Sequence, residues 1–208
     1  MPGKKSPENE RREEILQAAF RVALRRRVAG LTSREVSADA GVSNGLLFFH
    51  FRNRQELLLA LLDWLLAQTI LAHAIREIPE PGLAEVCMAK AIREAIETMP
   101  RHREQIELFF DYWFTASHND ELMRKKIRAA LGRYRRSYVP LARAVVAESP
   151  QRYRGVTPGA LASVATGLIE GCAMNLVMNP KSFHPGGYAG AMAALLREPR
   201  GIMNLSAD

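Results

Sequence analysis

Apolar residues along this chain recur at helical spacing almost from end to end. Between about Asn9 and Ala29, the residues Ile15, Ala18, Ala19, Val22 and Ala23 form one apolar face, and Gly30 is expected to stop that helix. Thr32-Ser33-Arg34-Glu35 reads as a capping box, a hydroxyl followed three residues later by a carboxylate. It opens a very short helix that ends before Gly41. Ser43 caps a third helix reaching about Phe51, and a fourth runs from near Asn53 to about Glu77. Pro79 and Pro81-Gly82 break the pattern. Helical spacing returns over 83–98, 101–117, 120–148, 158–178 and 187–197, with breaks at Pro100, at His118-Asn119, from Pro150 to Gly155 and from Pro180 to Gly187. Pro140 falls inside the 120–148 pattern, where it should kink or split the helix. There is no strand-like alternation, hairpin signal or internal repeat. The fold class expected is all-α, with about nine helices.

The first three helices, of about twenty, eight and eight residues, cannot each bury a separate core, so they must pack on one another. Ala40-Gly41-Val42-Ser43 joins the second and third as a helix-turn-helix, with glycine supplying the positive φ of the turn. Ser37 is small enough to face that turn, and Val36, Val42 and Leu47 would seal the angle. The expected organisation is a three-helix head over residues 1–53 and a helical bundle over 54–208.

The third helix raises a problem of its own. "GVSNGLLFFHF" carries more large apolar groups than one short helix can bury. At about 100° per residue, Leu47 and Phe51 share a face and point into the head. Gly45 and Phe49 lie opposite and face out, with Leu46, Phe48 and His50 on the flanks. The outward surface is thus glycine and aromatic, bordered by Asn44, His50, Arg52 and Arg54. Such a surface fits a DNA major groove: asparagine can pair with adenine, apolar groups can touch thymine methyls, and cations meet phosphates. For Phe48 and Phe49 the competing reading is packing against the fourth helix.

Charge agrees with a nucleic-acid partner. The net charge is +7, and residues 1–60 hold 11 Lys and Arg against 7 Asp and Glu, so more than half the excess lies there. No apolar run approaches the roughly 18 residues of a membrane span, and no signal core opens the chain, so a cytoplasmic protein without a membrane partner is expected. Cys87 and Cys172 sit in amphipathic patterns and read as buried free thiols of a reducing compartment. No metal-ligand spacing is present, and no cofactor is implied.

The stretch "LTSREVSADAGVSNGLLFFHFRNRQEL" resembles the DNA-binding signature of the TetR family of bacterial transcriptional regulators, at most positions of residues 31–57. The resemblance implies DNA contact through ten residues. Ser33 and Arg34 would touch phosphates, and Ser43 the backbone. Asn44, Gly45 and Leu46 would meet base edges. Phe49 and His50 would meet the groove wall and backbone, and Arg54, in place of the usual lysine, would grip phosphate with the N–H groups of the fourth helix. Phe48 stands where tyrosine is usual, so a hydroxyl-to-phosphate bond typically worth roughly 0.5–1.5 kcal/mol is missing. Ser37 stands where alanine is usual, and its small size should preserve the turn.

The larger C-terminal part reads as a bundle. "EQIELFFDYWFTAS" puts Ile106, Phe109, Phe110, Trp113 and Phe114 on one broad face, which is either plain core or the lining of a cavity. The family resemblance implies an inducer pocket between central helices, for which Met88, Phe110, Trp113, Tyr138 and Asn175 are the candidates. The stretches "DYWFTASHNDELMR" and "GLIEGCAMNLVMNP" are similar to the BetI-like subgroup of that family. At 158–178, Ala160, Val164, Gly167 and Gly171 make a small-residue stripe beside Leu168. The resemblance implies a homodimer through the last two helices, and "YAGAMAALL" could supply the partner helix. Its recognition helices would lie about one DNA turn, roughly 34–36 Å, apart on an imperfectly palindromic operator of double-stranded DNA. The basic cluster Arg124, Lys125, Lys126, Arg128, Arg133, Arg135 and Arg136 reads as a solvated face, with an anionic partner as the alternative.

The function expected is a repressor released from its operator by a small-molecule effector. The alternative is a DNA-binding regulator of the same fold governed by a protein partner or by its abundance. An enzyme is not expected: His73, His102, His118 and His184 are scattered, without a paired base, nucleophile elbow or phosphate loop.

Overall fold

A computed structural model describes residues 8–68 and 79–196, except for the side chains of 116–119, 189 and 192–196. Among the described residues the chain is helical, without strands. The elements are α1 (Glu8–Gly30), α2 (Ser33–Asp39), α3 (Asn44–His50), α4 (Arg54–Gln68), α5 (Ala84–Thr98), α6 (Arg103–Asn119), α7 (Glu121–Glu148), α8 (Pro158–Met178) and α9 (Pro185–Leu196), with one 3-10 turn at Met99–His102. The expected extension of the fourth helix to Glu77, and His73 with it, lies outside the described residues.

Two compact units share the chain. One comprises residues 1–73 and 102–133, the other 74–101 and 134–208. In the first, Ile15, Ala18, Ala19, Val22 and Ala23 of α1 are buried as their spacing requires, against Leu57, Leu61, Leu62 and Leu65 of α4 and Leu108 and Tyr112 of α6. Tyr112, which the apolar pattern of α6 did not single out, is fully buried, and its hydroxyl donates to the carbonyl of Leu58 at 3.0 Å. Burial pushes that phenol well above the usual tyrosine range. Ile106 and Phe109 are also buried, Phe110 and Trp113 are half-buried, and Phe114 is 63% exposed, so the broad aromatic face of α6 is only partly core.

The end of α1 departs from expectation. The backbone leaves helical geometry at Arg27 (φ 64°, ψ 166°), three residues before the glycine expected to stop it. A non-glycine residue rarely occupies this region, because Cβ crowds the neighbouring carbonyl. Long-range bonds hold it there. The Val28 N–H donates to Asp111 Oδ2 at 2.6 Å, and Arg27 pairs with Glu107 at 2.9 Å. The Arg54 guanidinium, at the first position of α4, donates to the carbonyls of Leu31 (2.7 Å), Ala29 (2.9 Å) and Val28 (3.0 Å).

In the second unit, α5 packs against α8 and α9. Its buried residues Ala84, Met88, Ile92 and Ile96 recur at three- and four-residue intervals. Leu83 cannot cap α5 with its side chain. Glu148 does so instead, one carboxylate oxygen accepting from Gly82 N (2.9 Å) and the other from Ala84 N (3.0 Å). Pro140 does not split α7, which runs unbroken to Glu148. Tyr138, Leu141, Ala142 and Val145 anchor its buried side, while Pro140 and Arg136 are exposed, so the carbonyl left unpaired by the proline lies toward solvent.

The second unit also buries polar groups. Tyr134 and Tyr138 set their hydroxyls 3.2 Å apart with rings edge to face. Glu170 lies half-buried nearby, its carboxyl raised above the usual range by that burial against the opposing pull of Arg135. Cys172 is buried and Cys87 is only half-buried, which corrects the expectation of two buried thiols. A second correction concerns apolar length. Within α8 an 18-residue window has a mean hydropathy of 1.5, long and apolar enough by composition to cross a membrane, although the core helix of a soluble protein passes the same test. Its apolarity comes from leucine, valine, isoleucine and alanine spread between single polar and glycine residues, so no unbroken apolar run marks it.

Candidate nucleic-acid interface

The site is built from local signals first. Thr32 caps α2, its hydroxyl oxygen accepting from Glu35 N at 3.3 Å. Gly41 adopts φ +64° in the turn, and a Cβ there would be strained whatever the space around it. Ser43 caps α3, accepting from Leu46 N at 3.1 Å. Asn53 accepts from Glu56 N at 2.8 Å while the Glu56 carboxylate accepts from Arg52 N at 3.2 Å, which sets the start of α4. These caps orient α3 so that Leu47 and Phe51 are fully buried, as the wheel requires.

The other side of α3 is open. Phe49 is 72% exposed, Phe48 44% and Leu46 37%, and Asn44 and Gly45 are exposed with them. Packing of Phe49 against α4 is thereby excluded, and Phe48 is only partly covered. His50 is half-buried, its ring edge-on to Phe49 with centroids 5.3 Å apart. A Cβ built on Gly45 meets only Ser43 Oγ, at 3.8 Å, so nothing among the described residues requires a glycine at this position. On α2, Ser33 is half-buried and Arg34 exposed, with no ion pair to Arg34 among the described residues.

Electrostatics sorts the arginines. Arg21 and Arg25 of α1 bind Asp39 at 2.8 and 2.6 Å, and Arg26 binds Glu35 at 2.9 Å. The Arg25 hydrogen bond, with Arg21 beside it, holds the Asp39 carboxyl below the usual range. These cations clamp α2 to α1. Arg54 spends its Nε and one amino group on the carbonyls after Arg27. It therefore has a structural task that the sequence pattern did not reveal. Arg12 lies over the Phe51 ring at 4.8 Å.

One contact across the turn was missed by reading Ser37 for size alone. Its hydroxyl donates to Asn44 Oδ1 at 2.5 Å, with Ser33 O (3.0 Å) and Arg34 O (3.1 Å) also near. The departure from alanine was visible in the sequence. Its partner seven residues on was not, because the turn had first to bring them together.

The other expected sites are distributed as follows. Phe110 and Trp113 belong to the first unit and stack at 6.2 Å. Met88, Tyr138 and Asn175 belong to the second, where Met88 and Tyr138 are buried and Asn175 is exposed, its amide donating to Gly171 O at 3.0 Å. On α8, Ala160, Val164, Gly167 and Gly171 are exposed and Leu168 is half-buried.

Comparison with known proteins agrees with this arrangement. Residues 15–61 match the family model described as bacterial regulatory proteins, tetR family, and residues 87–198 match the BetI-type transcriptional repressor, C-terminal model. The HTH-type transcriptional regulator TtgR of Pseudomonas putida is 41% identical over 59 residues, 28% of this chain and 28% of that protein. The chain thus spans well under two thirds of that curated relative. A crystal structure of a putative transcriptional regulator from Saccharomonospora viridis in complex with choline has a TM-score of 0.68 at 17% identity, covering 91% of this chain and 96% of that one. The transcriptional regulator FadR from Bacillus subtilis in complex with stearoyl-CoA has a TM-score of 0.68 at 18% identity, covering 88% and 96%. These two share the fold. The matched models cover both the helix-turn-helix and most of the C-terminal part, and the chain belongs to the TetR family of bacterial regulatory proteins.

Proposed function

We propose that this chain is a dimeric DNA-binding transcriptional regulator, a repressor released from a palindromic operator when a small molecule binds its C-terminal domain. Residues 1–53 act as the DNA-binding domain and 54–208 as the ligand-binding and dimerisation domain, in the bacterial cytoplasm. The observation that carries this reading is the open side of α3. Phe49, Leu46, Gly45 and Asn44 are exposed together, while the opposite face is locked into the head. An exposed phenylalanine beside a glycine that no internal contact demands is costly in water unless a partner covers it. Ser33, Arg34 and Ser43 supply backbone contacts, Phe49 and His50 meet the groove wall and backbone, Phe48 flanks them at the position nearest phosphate, and Arg54 adds its remaining amino group.

Two further observations support the C-terminal assignment. Cβ atoms built on Gly167 and Gly171 meet nothing within 4 Å, and Val164 is 70% exposed, so this stripe of α8 is open to a second copy. Solved structures of the same fold hold choline and stearoyl-CoA, which are chemically unlike, so the fold admits a small molecule without naming one. Such an effector shifts the equilibrium only by its differential affinity for the two states of the head.

Selection of genomic DNA fragments with the purified protein tests the proposal. Enrichment of an imperfect palindrome, and its loss in gel shifts on addition of a metabolite tied to the neighbouring genes, is expected. Failure to bind any fragment at low salt overturns it.

A further inference from the structure

We propose that Ser37 decides which base edge α3 reads, by holding Asn44 as a hydrogen-bond donor. This rests on the reading of α3 as the recognition helix and adds the chemistry of one base contact to it. Ser37 lies on α2 and is 3% exposed; Asn44 is the first residue of α3 and is exposed. The serine hydroxyl has one proton and three acceptors within reach, at 2.5 Å (Asn44 Oδ1), 3.0 Å (Ser33 O) and 3.1 Å (Arg34 O). The shortest contact takes the proton. Its length lies within the roughly 2.5–3.0 Å range of an O–H···O bond and below the roughly 2.7–3.2 Å of N–H···O, so the amide atom facing Ser37 is the oxygen.

The amide is planar, so fixing Oδ1 also fixes Nδ2, whose two N–H groups then point away from Ser37. Among the described residues no acceptor takes them. Asn44 therefore offers the groove a donor. Guanine presents acceptors at N7 and O6, whereas cytosine presents a donor at N4. The adenine pairing expected of a free asparagine requires the amide oxygen to accept from N6 while the nitrogen donates to N7. With one of the two Oδ1 lone pairs taken by Ser37, that two-bond match is weakened, and guanine, which offers the two N–H groups two acceptors where thymine offers O4 alone, is favoured. Alanine at position 37 would leave the amide free to turn.

The test uses the full-length chain as wild type, Ser37→Ala and Asn44→Ala. Each is put through selection from a randomised duplex library, followed by titration on the selected duplex carrying each base at each position. Melting temperature checks that the variants fold. Wild type is expected to prefer guanine at the position where Asn44→Ala becomes indifferent. Ser37→Ala is expected to raise adenine there, changing the guanine-to-adenine ratio by roughly 5-fold or more. Affinity for an unrelated duplex should stay unchanged, a result that a loss of general packing would not produce. Base preferences of Ser37→Ala identical to wild type overturn the proposal, as does a wild-type preference for cytosine at that position, which requires the amide to be turned the other way. If wild type enriches no sequence at all, the DNA-binding reading itself fails and the proposal falls with it.

Discussion

The Asp111 carboxylate on α6 accepts the backbone N–H of Val28 at 2.6 Å, one residue after the chain turns left-handed at Arg27. This bond ties the end of α1 to α6 across 83 positions of sequence. A hydrogen bond to a charged group typically contributes roughly 1.5–3 kcal/mol. Asp111→Ala is therefore expected to lower unfolding stability by about that amount, read as a lower urea midpoint with an unchanged slope. A midpoint equal to wild type would show that the turn is held elsewhere.

Arg27 occupies backbone space that glycine enters freely, at a cost to other residues on the order of 1–3 kcal/mol. Its ion pair to Glu107 is half in solvent and contributes little. Arg27→Gly is thus expected to be neutral to stabilising, by up to about 1 kcal/mol, although most glycine substitutions near a helix end destabilise. Thermal melting decides between the two; a fall in melting temperature would mean that the Arg27 side chain, not the backbone, holds the turn.

Phe48 is 44% exposed on the flank of α3. Adding a hydroxyl there supplies a phosphate contact worth roughly 0.5–1.5 kcal/mol. Phe48→Tyr is expected to tighten operator binding by about 2- to 10-fold in a salt-controlled titration. No gain in affinity would place the ring edge away from the backbone.

Val164 is 70% exposed and touches little of its own chain. A charge there should leave the fold intact and disrupt a second copy seated on α8. Val164→Glu is expected to shift the mass measured by light scattering from dimer to monomer, with stability of the monomer within roughly 0.5 kcal/mol. A variant that remains dimeric would exclude this face from the interface.

Glu170 carries a carboxyl raised by burial. Folding therefore favours its protonated form, and the stability this contributes is present at low pH and lost as pH rises through the raised value. Glu170→Gln removes the effect. Melting temperatures of wild type and variant should agree near about pH 4 and separate toward neutral pH, with the variant higher. Parallel curves across that range would mean that Arg135 fully compensates the charge.

Much of the head was legible in the sequence because its determinants are local. Thr32, Gly41 and Ser43 act on groups within four residues, and helical spacing alone assigned Leu47 and Phe51 to the interior and Phe49 to the surface. The all-helical class, the TetR resemblance and most helix limits follow from the same short-range rules. Other features were decided only by tertiary packing. The chain turns at Arg27 because Asp111 of α6 and Arg54 of α4 hold the backbone groups that follow it. Arg54 bonds carbonyls 23 to 26 residues away, a role its position at a helix start does not disclose. Pro140 stays within α7 because buried neighbours anchor the helix on the side away from it. Ser37 meets Asn44 only once α2 and α3 have closed their angle. Period and capping depend on neighbours along the chain; these contacts depend on which distant groups the fold brings within 3 Å.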